Sequence, residues 1–320
     1  MATTAPTTAP RMTLAAVTRG TVQKPLRVLV YGTEGIGKST FGADAPAPIF
    51  LASEDGTSHL DVARFPQPST WEDVMEAIRT LTVEAHEYRT LVVDTLDWLE
   101  PMCWDYVCRS AKKTSIEDFG FGKGYVAALD EWRRFVAALD KMRERTGMHV
   151  ILLAHSFVKA FKNPDADVGD FDRYEMKLHA KTAGLLKEWA DAVLFAQYET
   201  VSKKVGEKNR GVSTGARVVH TERRAAWDAK NRHGLPEMLP LSWEEFYAGT
   251  GTRAAGGDVA ATRAEVERLI TLLPAAEVDT WTKWLASPGA SDPRKLAQAL
   301  DRLKTKTALT TTTSTKENAQ

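Results

Sequence analysis

Residues 32–40 read Gly-Thr-Glu-Gly-Ile-Gly-Lys-Ser-Thr, and their types and spacing suit phosphate chemistry. Gly32, Gly37, Lys38 and Ser39 stand in the order G-x-x-x-x-G-K-S, with Thr33, Glu34, Gly35 and Ile36 inside the loop and Thr40 just after it. The glycines let the backbone turn tightly and bring its N–H groups up to phosphate oxygens. The helix that follows starts at the loop, so the positive end of its dipole adds to an anion site. Lys38 supplies a point charge for β- and γ-phosphates, and the Ser39 hydroxyl is a type that ligates Mg²⁺. A glycine-rich surface turn would show the same glycines. The apolar run 28–31 leads into this loop, however, and helix-compatible sequence leaves it.

Further chemistry lies at the ends of other short apolar runs. Residues 90–93 lead into Asp94, which fits the second motif of a phosphate site, an aspartate in the Mg²⁺ shell. Residues 49–52 lead into Ser53-Glu54-Asp55-Gly56, and residues 149–154 into His155-Ser156. In an open α/β sheet the C-terminal ends of strands are where ligands sit.

The elements that must hold these residues follow from periodicity. Residues 41–46 allow only a short helix, closed by Pro46 and Pro48. Residues 71–85 place Val74, Ile78, Leu81 and Ala85 at helical spacing. Residues 97–112 are expected to be a helix whose aromatics, Trp98 and Trp104, belong to the core. Residues 113–125 are polar and glycine-rich and are expected to be a loop. Residues 126–146 carry Trp132, Phe135, Leu139 and Met142 on one helical face. A long polar loop is expected over 157–172, a helix over 178–189 and a strand over 192–197. Between 198 and 232 the pattern turns antiparallel and basic, with Lys203, Arg217, Arg224, Lys230 and Arg232 among its cations. The order predicts an α/β fold, a mostly parallel sheet with helices on both faces and antiparallel strands at its C-terminal end.

Composition sets limits. Lys and Arg number 42 and Asp and Glu 42, so nucleic-acid contact would rest on local patches rather than net charge. Cys103 and Cys108 match no metal or redox spacing and are expected to be buried thiols in a reducing cytoplasm. No apolar run is long enough for a membrane span, and no secretory signal opens the chain. Composition divides the chain into a Thr/Ala/Pro leader (1–23), a core (24–248), a linker (249–258), a small helical appendage (259–306) and a tail (307–320).

The segments GTEGIGKST, IFLASEDG, LVVDT, LLAHS and DAKNRHGLP, in that order over residues 24–247, resemble the RecA-like ATPase superfamily. The resemblance is nearest to phage-encoded, AAA-type nucleotide-binding proteins of the single-strand annealing or minimal recombinase group. It implies a RecA-like P-loop ATPase that uses ATP and Mg²⁺ in the host cytoplasm. Glu54 then falls where an acid activates the attacking water, and His155 where a polar residue senses the γ-phosphate. Lys230 and Arg232, in Lys-Asn-Arg, fall where a K-x-R element reaches a neighbouring protomer's γ-phosphate. Two loops, 112–125 and 157–177, would face single-stranded DNA with cations and rings, through Lys112, Lys113, Phe121, Lys123, Lys159 and Lys162.

The implied activity is ATP-dependent annealing or strand pairing by a ring or filament of identical chains. A single-strand-binding protein or another replication protein is an implied partner. Against true recombinases, the leader shows no polymerisation helix and strand, and the helical appendage is extra. Alternatives are a helicase or helicase-loading ATPase, a nucleotide-gated scaffold that recruits replication proteins through Trp281, Trp284 and Leu285, and a small-molecule kinase.

Overall fold

Residues 27–32 alternate between two interiors, and that alternation sets the architecture. In the computed structural model, β1 (Arg27–Gly32) buries Leu29 and Tyr31 on one face of a sheet and Val28 and Val30 on the other. Residues two apart share a face, so a strand covered on both sides reads as continuous hydrophobic sequence. β2 (Pro48–Ala52), β4 (Thr90–Asp94) and the start of β5 (His149–Phe161) repeat this division. The structure describes residues 24–161, 170–205, 208–250, 259–273 and 275–287, with residues 13, 14, 17, 19, 299, 300 and 303 besides.

The remaining strands are β3 (Ala63–Arg64), β6 (Phe171–Met176), β7 (Ala192–Val205), β8 (Lys208–His220), β9 (Lys230–Asn231) and β10 (Met238–Pro240). Their order across the sheet is β10-β8-β7-β1-β5-β4-β2-β3. From β7 to β3 all neighbours run parallel, and β8 and β10 add an antiparallel end. This is the expected mixed fold.

The helices cover both faces. On one lie α2 (Trp71–Val83), α3 (Leu96–Ser110), α4 (Lys123–Thr146) and α5 (Ala180–Trp189). Trp132 of α4 meets Trp71 edge-on at 5.0 Å and Phe135 at 5.2 Å, as its apolar stripe requires. On the other lie α1 (Lys38–Ala43) and α6 (Trp243–Gly249), joined through Phe41, Trp243 and Phe246. Each of these aromatic side chains contributes about 1.5–3 kcal/mol by leaving water.

The structure departs from expectation in four places. The strand expected to end at residue 154 continues to Phe161, and β6 pairs with it antiparallel from Ser156↔Met176 to Phe161↔Phe171. The polar loop is therefore largely a hairpin, because ladder hydrogen bonds satisfy a backbone that no longer lies in the parallel sheet. Next, α4 begins at Lys123 rather than 126, directly after Gly122 in a left-handed conformation. A 3-10 turn, Ile116–Phe119, capped by Ser115, interrupts the expected loop before it. Finally, Trp98 is not core: it is 52% exposed, whereas Trp104, half-buried, packs against the core.

Cys103 and Cys108 are free and buried. Beyond the core, α7 (Val259–Ile270) and α8 (Ala275–Leu285) pack around their own cluster of Val266, Leu269, Ile270, Leu273, Leu285 and Leu303. Leu285 is buried there and Trp281 and Trp284 pack against it, so these side chains serve that small core. Nearly all of the leader, linker and tail, and most of the appendage beyond residue 287, lie outside the described residues. Among the described residues, no helix is long and apolar enough to cross a membrane.

Candidate nucleotide-binding site

β1 delivers the glycine loop to the C-terminal edge of the sheet, where Gly32 lies between His155 of β5 and Ala196 of β7. A Cβ on Gly32 would stand 2.3 Å from the Ala196 carbonyl oxygen, so only glycine fits. Gly37 has φ 108°, the second position where the loop requires glycine. Ile36, fully buried, anchors the loop in the core beneath. Gly35 and Glu34 face the open cleft.

Lys38 is only 5% exposed and folds back across its own loop. Its Nζ donates to the Gly32 carbonyl at 3.2 Å and the Thr33 carbonyl at 2.9 Å. Burial holds its pKa below the usual lysine value, against the pull of Asp94. The Ser39 hydroxyl donates to Asp94 Oδ2 at 2.6 Å. Asp94 is 2% exposed, and burial raises its pKa despite that hydrogen bond and the nearby Lys38. A hydroxyl and a carboxylate side by side in a cleft are the hard oxygen donors that Mg²⁺ prefers, so the residues present fit that ion. Ser53 ties the ends of β2 and β4 together, its hydroxyl donating to the Thr95 carbonyl at 2.9 Å.

Glu54 and His155 converge on the same cleft, with Glu54 Oε1 3.9 Å from His155 Nε2. Burial raises the Glu54 pKa, and His155 opposes that rise. The structure adds Asp97, in the first turn of α3. Its Oδ1 accepts from the His155 backbone N–H at 3.0 Å, and its Oδ2 lies 2.9 Å from His155 Nδ1. A carboxylate only accepts, so Nδ1 carries the proton and Nε2 faces Glu54. The Asp97 pKa falls below the usual range, because these bonds outweigh the burial that would raise it.

The cleft measures about 520 Å³ and is also lined by Thr40, Trp98, His59, Lys177 and Arg217. Four of these, Trp98, His59, Lys177 and Arg217, carry no site role in the sequence pattern. Asp97 carried a signal, a second acid three residues after Asp94. The others carried none: Trp98 reads as a helix aromatic, His59 and Lys177 come from separate connections, and Arg217 comes from β8.

The segments expected to meet DNA are partly connected to this cleft. Lys112 and Phe121 take positive φ and are exposed, Phe121 completely, and Lys113 and Lys123 are exposed beside them. Tyr125 of α4 stacks on His179 at 4.4 Å, joining this segment to the β6–α5 connection. Lys159 is exposed on β5, where it pairs with Arg173 of β6. Lys162 lies outside the described residues. The hairpin joins the cleft through Lys177, whose backbone N–H donates to the His155 carbonyl at 2.9 Å.

Lys230 and Arg232 sit elsewhere. Lys230 pairs with Val193, three residues before the Ala196 that flanks Gly32, and so lies toward the opposite edge of the sheet. Its Nζ donates to the carbonyls of Lys187, Glu188 and Ala190 at 2.9, 2.8 and 2.7 Å. An ammonium has three N–H groups, and all three close the C-terminus of α5. The expectation that Lys230 projects toward a neighbour's phosphate is therefore corrected: it caps a helix of its own chain. Arg232 is half-exposed, with one contact to Asp191 at 3.2 Å.

A glycine-rich loop between β1 and α1, a lysine folded under it, and a serine paired with a strand-end aspartate on β4 define a P-loop NTPase with a mostly parallel α/β sheet. The chain belongs to the AAA_24 family of AAA domains, whose profile matches residues 24–233. It is similar to the SPbeta prophage-derived uncharacterized protein YorG of Bacillus subtilis strain 168, at 25% identity over 137 residues. That stretch spans 40% of this chain and 40% of YorG. Among solved structures it resembles the RadB recombinase at 16% identity and a TM-score of 0.38, covering 68% of this chain and 86% of that one.

Proposed function

We propose that this chain is an ATP-hydrolysing, single-stranded-DNA-binding recombination protein that promotes annealing or strand pairing. Lys38 swings from its two carbonyls to the β- and γ-phosphates. Ser39 and Asp94 would hold Mg²⁺, which would offset phosphate charge. Glu54, its proton affinity raised by burial, takes a proton from the water that attacks the γ-phosphorus. The β–γ bridge breaks, and ADP and phosphate leave. His155, aligned by Asp97, responds to the γ-phosphate.

One observation carries the link to DNA. β5 holds His155 in the cleft and, two to four residues on, exposes Phe157, Val158 and Lys159 on the hairpin. A shift of His155 is therefore a shift of the hairpin root. Rings and cations together suit a sequence-tolerant single strand. The prophage-derived relative supports a phage setting, and in this reading the chain acts in the host cytoplasm. Copies of the chain assemble with Arg232 at the junction, in a ring or filament, and a single-strand-binding protein is a candidate partner. The test is the ATPase rate with and without single-stranded DNA, for wild type and for Lys159→Ala with Phe157→Ala. Stimulation in wild type that the double variant loses supports the reading; a rate indifferent to DNA removes it.

A second reading rests on α7 and α8. Their separate hydrophobic cluster supports a modular adaptor, in which nucleotide gates recruitment of a replication protein. Truncation after Thr250 that abolishes partner capture but leaves DNA-stimulated hydrolysis would favour it.

A further inference from the structure

The order of strands divides the cleft into two ends. Glu54 follows β2, Asp94 ends β4 and His155 lies in β5, all on one side of β1. Those residues mark the γ-phosphate and metal end of the proposed site. Arg217 comes from β8, beyond β7, on the other side of β1, and lines the same cleft.

Arg217 is aimed there by a local irregularity. In the β7–β8 ladder Tyr198 pairs with Arg217 and Thr200 with Ser213, so two steps of β7 face four of β8. Gly215, at φ 81°, takes up the surplus. Bulges of this kind re-aim side chains beside functional sites. The guanidinium then lies against the phosphate loop: one terminal nitrogen would stand 3.0 Å, and Cδ 3.7 Å, from a Cβ built on Gly37. Its other contact is the Tyr198 ring, 6.0 Å away.

Arg27, Arg143, Arg173, Arg224 and Arg232 each face a carboxylate at 4 Å or less. Among the described residues no carboxylate pairs with Arg217. A guanidinium presents a planar fork that matches phosphate oxygens, and it stays charged at any working pH. Backbone N–H groups of such a loop cradle the α- and β-phosphates, while the lysine reaches β and γ. Beside Gly37, on the side away from Glu54 and His155, the fork meets the α and β groups.

We infer that Arg217 is a nucleotide-binding residue acting in cis on the α- and β-phosphates, so that it supports ADP and ATP alike. The inference rests on the phosphate-loop reading above. It differs from the usual work of a finger residue, because it raises affinity for substrate and product equally instead of stabilising charge only in the transition state.

The experiment is equilibrium titration of the full chain with ADP and with a non-hydrolysable ATP analogue, each with Mg²⁺. Wild type, Arg217→Ala and Arg217→Lys are compared. Loss of one charge-assisted contact weakens binding about ten- to a hundredfold. Arg217→Ala is expected to show that loss for both ligands by the same factor, with Arg217→Lys recovering part of it. Equal affinity of wild type and Arg217→Ala overturns the inference, as does a loss confined to the triphosphate. Wild type that binds neither ligand overturns the phosphate-loop reading as well, so the two failures are distinguishable. Because Arg217 is exposed, thermal unfolding of the ligand-free variant should match wild type, which separates lost binding from lost folding.

Discussion

At the C-terminal edge of the sheet, Lys38, Glu54 and Asp94 each hold a charge that burial disfavours. At the N-terminal edge, Arg27 and Asp191 are also part-buried, yet each is shifted toward its charged form. The Asp191 hydrogen bond raises Arg27 against its burial, and Arg27 outweighs the burial of Asp191. Distances tell the same story. Arg27 grips Asp191 at 2.6 Å, Arg143 grips Asp140 at 2.7 Å, and Trp189 donates to Asp140 at 2.9 Å. Arg143 is the exception there, because burial lowers it despite Asp140. The lower edge closes its charges on one another, whereas the upper edge, apart from Asp97 closed on His155, holds them for something that arrives. Such strained polar sites are where stability and function trade against each other.

The largest effect expected from breaking the comparison is at the upper edge. Lys38→Ala should cut ATP hydrolysis by about 10³-fold while leaving the unfolding midpoint near wild type. A steady-state assay at wild-type rate would remove the site assignment altogether.

Next comes a pH limb at the lower edge. The Leu26 backbone N–H donates to His149 Nδ1 at 2.9 Å, which requires that nitrogen to be unprotonated. Burial, with Arg143 nearby, lowers the His149 pKa from 6.5 to about 4. The unfolded chain therefore binds the proton first. Stability is full above pH 6.5 and declines as pH falls toward 4, by about 3 kcal/mol in all. Denaturant midpoints for wild type should fall across that window, and His149→Gln should flatten the fall.

A smaller, paired effect sets the edges against each other. Asp191→Asn leaves Arg27 only its longer contact with Asp140, at 3.7 Å, and should cost about 2 kcal/mol at neutral pH, allowing for partial exposure. Asp94→Asn removes a poorly compensated charge and should leave ligand-free stability equal or higher, while hydrolysis fails. Acid titration gives the opposite signs. Asp191 has a depressed pKa, so its contribution is present above 3.8 and lost as pH falls through the lower folded value. Asp94 has a raised pKa, so the folded state gains as pH falls through that value toward 3.8. Equal losses for the two variants would dissolve the contrast.

The smallest effect belongs to Arg232, whose half-exposed pair with Asp191 is worth about 0.5 kcal/mol or less. Arg232→Ala should unfold like wild type. If it also poisons hydrolysis when mixed with wild-type chains, the active site is shared between subunits.

The glycine loop, Asp94, Glu54 and His155 were all legible as chemistry at the ends of apolar runs, and one cleft gathers them. Parallel strands make this possible, since every C-terminal end opens on the same edge. Lys230 was misread for the converse reason. Its spacing from Arg232 is local, but the carbonyls that engage it belong to the end of α5 and its cap, 40 to 43 residues earlier in the chain. Trp98 was misassigned because helical spacing alone does not say which face meets the sheet and which meets the cleft. The continuation of β5 escaped notice because a mixed stretch such as 157–161 shows no long apolar run; it becomes a strand through its partner, β6.

Local sequence alone settled where a phosphate can be held: backbone freedom at Gly32 and Gly37, and a lysine and a hydroxyl next to them, need no distant partner. Only the tertiary structure decided which charges are free and which are answered. Asp97 against His155, Lys230 against α5 and Arg217 against the loop are pairings between crossovers. Their energies depend on burial and distance, which exist only once the strands have taken their order.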